Sequence, residues 1–148
     1  MRLAVRRAAL LALLALHGCD VTVKTGDGPP LGTFTCTALK DNVCVEPTDR
    51  FPSTVDVVHM HFHTKDVPKN GDVYIIRWIA EDVGQTAAPN TLIATLEEKV
   101  SDSNVAVTSY RVNSHLTKPT KGWPVGKYRV EVERAGVIET TARFTIQP

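Results

Sequence analysis

Val73-Tyr74-Ile75-Ile76-Arg77-Trp78-Ile79-Ala80 is the stretch on which the fold turns. Successive side chains on a strand point to opposite faces. Tyr74, Ile76 and Trp78 therefore share one face, and Ile75, Arg77 and Ile79 share the other. Eight residues rich in β-branched and aromatic side chains read as a strand near the centre of a sheet. Before it, Val67-Pro68-Lys69-Asn70-Gly71-Asp72 reads as a turn whose strongest element is Asn-Gly. After it, Glu81 to Asn90 holds Gly84 and Pro89 and reads as a loop.

The period of two continues in both directions. Val55 to Thr64 places Val58, Met60 and Phe62 on one side and Val57, His59, His61 and His63 on the other. Leu92 to Val100 fits either a strand or a short helix, since Leu96-Glu97-Glu98-Lys99 favours helix locally. Val105 to Val112 alternates again. Lys118 to Gly126 is a Gly/Pro loop. Lys127 to Arg134 sets Tyr128, Val130 and Val132 against Arg129, Glu131 and Glu133. Ala135-Gly136 turns the chain back into Val137 to Ile146, where Ile138, Thr140, Ala142, Phe144 and Ile146 share a face. Short strands with turns between them predict an all-β antiparallel β-sandwich of about seven strands. Trp78 in a central apolar strand suits an immunoglobulin-like (Ig-like) arrangement. Gly122 through Val132, the Gly turn and Phe144-Thr145-Ile146, together with Gly71 through Trp78, resemble bacterial extracellular Ig-like modules over about the last ninety residues. The resemblance implies a fold and little about activity.

Length and charge set outer bounds. The chain of 148 residues carries a net charge of +1, with 22% charged and 43% hydrophobic residues. It is long enough for roughly one domain. Its charge is too balanced for nucleic-acid binding by bulk electrostatics, and its composition argues against wholesale disorder.

The N-terminus reads as an address. Arg2, Arg6 and Arg7 precede an unbroken apolar run from Ala8 to Leu16. That run is too short to cross a ~30 Å hydrocarbon core as a permanent helix, and it fits a secretory signal. No later segment approaches 18 consecutive apolar residues. Ala-Ala-Leu after Arg6-Arg7 does not fill out a twin-arginine motif, which points to the general secretory route. Removal of residues 1–18 takes three arginines with it and turns the net charge of +1 into −2. Leu16-His17-Gly18-Cys19 resembles the lipobox of bacterial lipoproteins, with His17 departing from the usual small or aliphatic residue. The resemblance implies cleavage before Cys19 and a diacylglycerol on its thiol. The alternative is an ordinary cleaved signal with Cys19 incidental. Residues 19–32, with Gly26, Gly28, Pro29 and Pro30, then read as a lipidated flexible tether, and 33–148 as the folded domain.

Cys36 and Cys44 remain, an even pair in an oxidising compartment, and read as a disulfide. The rival is a metal-binding or redox pair, although seven intervening residues do not give a C-x-x-C spacing. Within Thr33 to Pro52 we expect a short stapled strand or loop.

Three constellations bear on chemistry. His59-x-His61-x-His63 projects three imidazoles from one strand face, about 6.6 Å apart per neighbouring pair. Two of them, with His115 or Asp66, would make a site for Zn or Cu. A solvated polar face is the simpler reading, because three imidazoles so spaced do not share one ion. Metal-binding jelly rolls also use His-x-His, but the Gly before and the Glu after the pair are missing here. Ser114 and His115 are neighbours on a strand and point to opposite faces, so they do not make a nucleophile–base pair. No G-x-S-x-G occurs. Trp123, in its Gly/Pro loop, is either a partner anchor or a plug over one end of the core. These readings lead to a non-catalytic binding or structural module in the bacterial cell envelope. It would be held to the membrane by lipid and would face a protein or glycan partner. A periplasmic Zn/Cu-binding protein is the alternative.

Overall fold

The computed structural model describes residues 31–101 and 109–148. The signal segment, Cys19, nearly all of the tether and the first half of the expected strand from Val105 to Val112 lie outside the described residues. Ten strands run in chain order: β1 (Gly32–Cys36), β2 (Ala38–Lys40), β3 (Val43–Val45), β4 (Arg50–Pro52), β5 (Val57–Thr64), β6 (Val73–Asp82), β7 (Thr91–Lys99), β8 (Tyr110–Thr117), β9 (Gly126–Arg134) and β10 (Val137–Gln147). A 3-10 turn over Gly84–Thr86 is the helical element among the described residues.

Two sheets face each other. One has the order β1-β5-β8 and the other β4-β10-β9-β6-β7, and β2-β3 forms a separate hairpin. The chain passes from β5 to β6 by changing sheets, so the Asn70-Gly71 turn is a crossover corner rather than a hairpin. Gly71 takes φ +87 there and donates its amide to the Val100 carbonyl at 3.0 Å.

Inward-facing positions of both sheets make one core. Val58, Met60 and Phe62 of β5 and Tyr110 and Val112 of β8 meet Tyr74, Ile76 and Trp78 of β6, Tyr128, Val130 and Val132 of β9, and Phe144 and Ile146 of β10. Trp78 is wholly buried and lies edge-on to Phe144, with ring centroids 6.0 Å apart. Its indole N–H donates to Ser114 Oγ at 3.0 Å, which satisfies a polar group that burial would otherwise penalise.

Three expectations are corrected. The sandwich has ten strands, not seven, because residues 33–52 divide into four. Three of those four are three residues long, too short to show alternation. The strands are not all antiparallel: β4 pairs with β10 in parallel. The chain leaves β1 in one sheet, folds the β2–β3 hairpin and joins the edge of the other sheet, where Pro52 is tolerated. The expected face of β10 also breaks, since a register shift between Ile138 and Thr140 leaves Ile138 50% exposed. The open choice at Leu92–Val100 resolves to strand: pairing of Ile76 with Leu96 and Trp78 with Ala94 outweighs local helix propensity.

Candidate functional site

The histidine face of β5 is the densest group of metal-ligating side chains singled out in the sequence, and the fold treats its members unequally. Val58, Met60 and Phe62 are buried as expected. The opposite face is not solvated throughout: His61 is 0% exposed and His63 5%. Their cover is the β2–β3 hairpin. Its two-residue turn, Asp41-Asn42, has φ 52 and 61, the left-handed pair that matches the twist of flanking strands. Asn113 Nδ2 of β8 donates to the Asn42 carbonyl at 3.2 Å. The Cys36–Cys44 bond, with Cα atoms 5.7 Å apart, ties the hairpin to β1, which lies beside β5 with Cys36 opposite His59. The expected disulfide is therefore present. It staples a lid over two imidazoles rather than only bracing a leading loop.

His61 Nδ1 lies 2.9 Å from Asn113 Oδ1, and Nε2 is buried without a hydrogen-bond partner among the described residues. Burial holds the His61 pKa below the ordinary imidazole value; the Asn113 hydrogen bond opposes this, and His63 and Arg111 push the same way as burial. The ring of His63 lies 6.1 Å from that of His61. His59 sits in register with His115 across the strand pair, with ring centroids 5.8 Å apart. Burial, then the nearby His115, lowers the His59 pKa. The structure thus splits the four histidines into a cross-strand pair and a covered pair. No group of three His, Cys, Asp or Glu residues able to hold a metal occurs among the described residues. Asp66 is drawn away to Arg134.

Ser114 and His115 face opposite ways, as their adjacency dictates. Ser114 is buried at Trp78, and His115 lies on the exposed side.

Trp123 is 5% exposed. Its indole N–H donates to the Val55 carbonyl at 2.7 Å, and its ring lies edge-on to Tyr128. It closes the end of the core, so the tryptophan is a plug and not a protruding anchor. Beside it is an almost wholly apolar cleft of about 170 Å³, walled by Ala80, Val83, Ile93, Leu116, Trp123 and Tyr128. Sequence reasoning missed this cleft, because its walls come from five separate segments.

No helix among the described residues is long and apolar enough to cross a membrane. No protein family and no curated protein matches the chain. Among solved structures, a β-glucosidase from Kluyveromyces marxianus is similar over 80% of this chain at 14% identity and a TM-score of 0.40. The chain spans 15% of that protein's length, and a likeness this weak carries no argument.

Proposed function

We propose that the chain is an exported, lipid-anchored protein of the bacterial cell envelope whose Ig-like sandwich serves as a non-catalytic binding or structural module. One observation carries the reading. The sequence has three cysteines, and Cys36 and Cys44 are bonded to each other. That bond suits an oxidising compartment. It leaves Cys19 as the single cysteine outside the pair, directly after Leu16-His17-Gly18. A diacylated thiol plus a further acyl chain would give stable anchoring, at about 0.8 kcal/mol per buried methylene. The partner would be a protein or glycan of the envelope. The test is Cys19→Ser: palmitate labels the wild type and not the variant, and the variant moves to the soluble fraction with its fold intact. Unlabelled wild type removes the proposal.

The His59–His115 pair favours a second reading, divalent Zn or Cu binding at the sandwich face. Two imidazoles with centroids 5.8 Å apart suit a shared ion completed by water. Calorimetric titration with each metal distinguishes the readings. Micromolar binding lost in His59→Ala/His115→Ala supports the site, and equal weak binding in both proteins sinks it.

A further inference from the structure

We propose that Cys36, Cys44, His59 and His115 form a redox-gated Zn²⁺ site, in which the metal and the disulfide are alternative occupants of the same two sulfurs; this rests on the His59–His115 pairing of the second reading above and adds its regulation. Strand register assembles the residues. Cys36 of β1 lies opposite His59 of β5, and His59 lies opposite His115 of β8. Residues directly opposite on antiparallel strands project from the same face, with Cβ atoms about 4.5–5.5 Å apart. Cys36, His59 and His115 therefore make one row across the outer face of the three-stranded sheet. Cys44, on the hairpin above, joins the row through its bond to Cys36.

One ion is within reach of all of them. Neighbouring strands are about 4.8 Å apart, so an ion above His59 is offset by about that much from β1 and from β8. A cysteine bonding at ~2.3 Å and an imidazole bonding at ~2.0–2.1 Å span such an offset. The His59 and His115 ring centroids are already 5.8 Å apart, and the Cys36 and Cys44 Cα atoms 5.7 Å. Two thiolates and two neutral imidazoles are the tetrahedral set that suits Zn²⁺. The two thiolate charges cancel that of the ion, so the partly covered site takes on no net charge. His59 is half-buried and His115 exposed, which leaves an entry path from the β8 side.

Cys44 keeps its place without the bond. Just beyond β3, the Thr48 amide donates to the Thr35 carbonyl at 2.9 Å, and Thr35 Oγ1 donates to the Thr48 carbonyl at 2.6 Å. At its turn the hairpin is held by Asn113 Nδ2, which donates to the Asn42 carbonyl at 3.2 Å. With the disulfide closed, no three donors are grouped for a metal among the described residues. The bond forms only in an oxidising compartment, so each copy first carries both thiols free. Zn²⁺ then displaces one proton from each thiol as two Zn–S bonds form. A disulfide of the thiol–disulfide oxidoreductase class takes two electrons from the bound thiolates. Its own S–S bond breaks to two thiolates, the Cys36–Cys44 bond forms, and Zn²⁺ leaves. A dithiol reductant reverses the exchange.

The test uses the full-length protein purified from membranes, oxidised and after phosphine reduction, with Co²⁺ as spectroscopic probe and Zn²⁺ as competitor. The reduced protein should show thiolate-to-cobalt charge transfer and bind Zn²⁺ about a hundredfold or more tighter than the oxidised protein. Oxidised glutathione should then release zinc in step with the loss of free thiol. His59→Ala/His115→Ala keeps the disulfide, and its reduced form should lose the gain in affinity. Reduced wild type that unfolds and regains its near-UV circular dichroism only with Zn²⁺ supports the site, and one that stays unfolded with Zn²⁺ overturns it. Absence of the charge-transfer band, or equal Zn²⁺ affinity in reduced wild type and the reduced histidine variant, also overturns it. The oxidised sample separates the two readings. Tight binding by the reduced protein beside none by the oxidised one supports the gated site and sinks the histidine pair as a site by itself. Equal binding by both forms supports the pair and overturns the gate.

Discussion

Removing the Cys36–Cys44 bond by Cys36→Ala/Cys44→Ala should weaken more than a surface loop. The two residues are eight apart in sequence. Loop closure over that length constrains the unfolded chain by about 2.5 kcal/mol. Packing adds to the loss, because Cys36 is fully buried and Cys44 nearly so. The bond also holds the hairpin over His61, so its loss admits water to a ring that is 0% exposed. For a domain of this size, 2.5 kcal/mol corresponds to a fall in Tm of about 10 °C. Thermal unfolding followed by near-UV circular dichroism gives the shift. Hydrogen exchange identifies where protection is lost: in β1, β2 and β3 first, and at the His61 amide next, with β6 and β9 kept. A Tm within 2 °C of wild type, or uniform loss of protection across both sheets, would refute the assignment of the hairpin as a locally stapled lid.

Stability should fall on acidification. His61 is held neutral by burial, so its folded pKa lies below that of the unfolded chain. The unfolded state then binds more protons below about pH 6.5, and stability present above that pH is lost as pH falls toward the folded pKa. Denaturant titrations between pH 7.5 and 5 should show a slope of at most about 1.4 kcal/mol per pH unit from this residue. An unchanged slope in His61→Gln would assign it elsewhere. Gly126→Ala should be among the most damaging small substitutions, because a Cβ there would lie 2.3 Å from the Asp82 carbonyl oxygen and 2.8 Å from Val83 Cα. A loss above about 2 kcal/mol by urea denaturation is expected from the strained φ of +153 and the backbone clash. Trp123→Ala should cost about 3–5 kcal/mol, since it opens the end of the core and removes the donor to Val55; a loss below 1 kcal/mol would make Trp123 a surface residue after all.

Strands β6, β9 and most of β10 were legible because each runs at least nine residues with one buried face. Val58, Met60 and Phe62 were legible for the same reason. The polar face of β5 was not. Alternation tells which side chains share a face and is silent on whether something distant covers it. The cover comes from β2 and β3, each three residues long. The Asp41-Asn42 dipeptide between Lys40 and Val43 was the available signal, since both residue types tolerate left-handed backbone in a two-residue turn. Pairing of His59 with His115 depended on the register of strands whose partners lie 46 residues or more apart, which turn chemistry does not set. Exposure of Val137 and Ile138 likewise came from a bulge, which breaks the period that sequence reading relies on.

The most direct measurement is the mass of the N-terminal peptide of the mature protein purified from membranes. Lipid anchoring predicts that the chain begins at Cys19, that this residue carries a diacylglyceryl group, and that Cys36 and Cys44 appear as one bonded pair. A mature chain that starts elsewhere, or that starts at an unmodified Cys19, contradicts it.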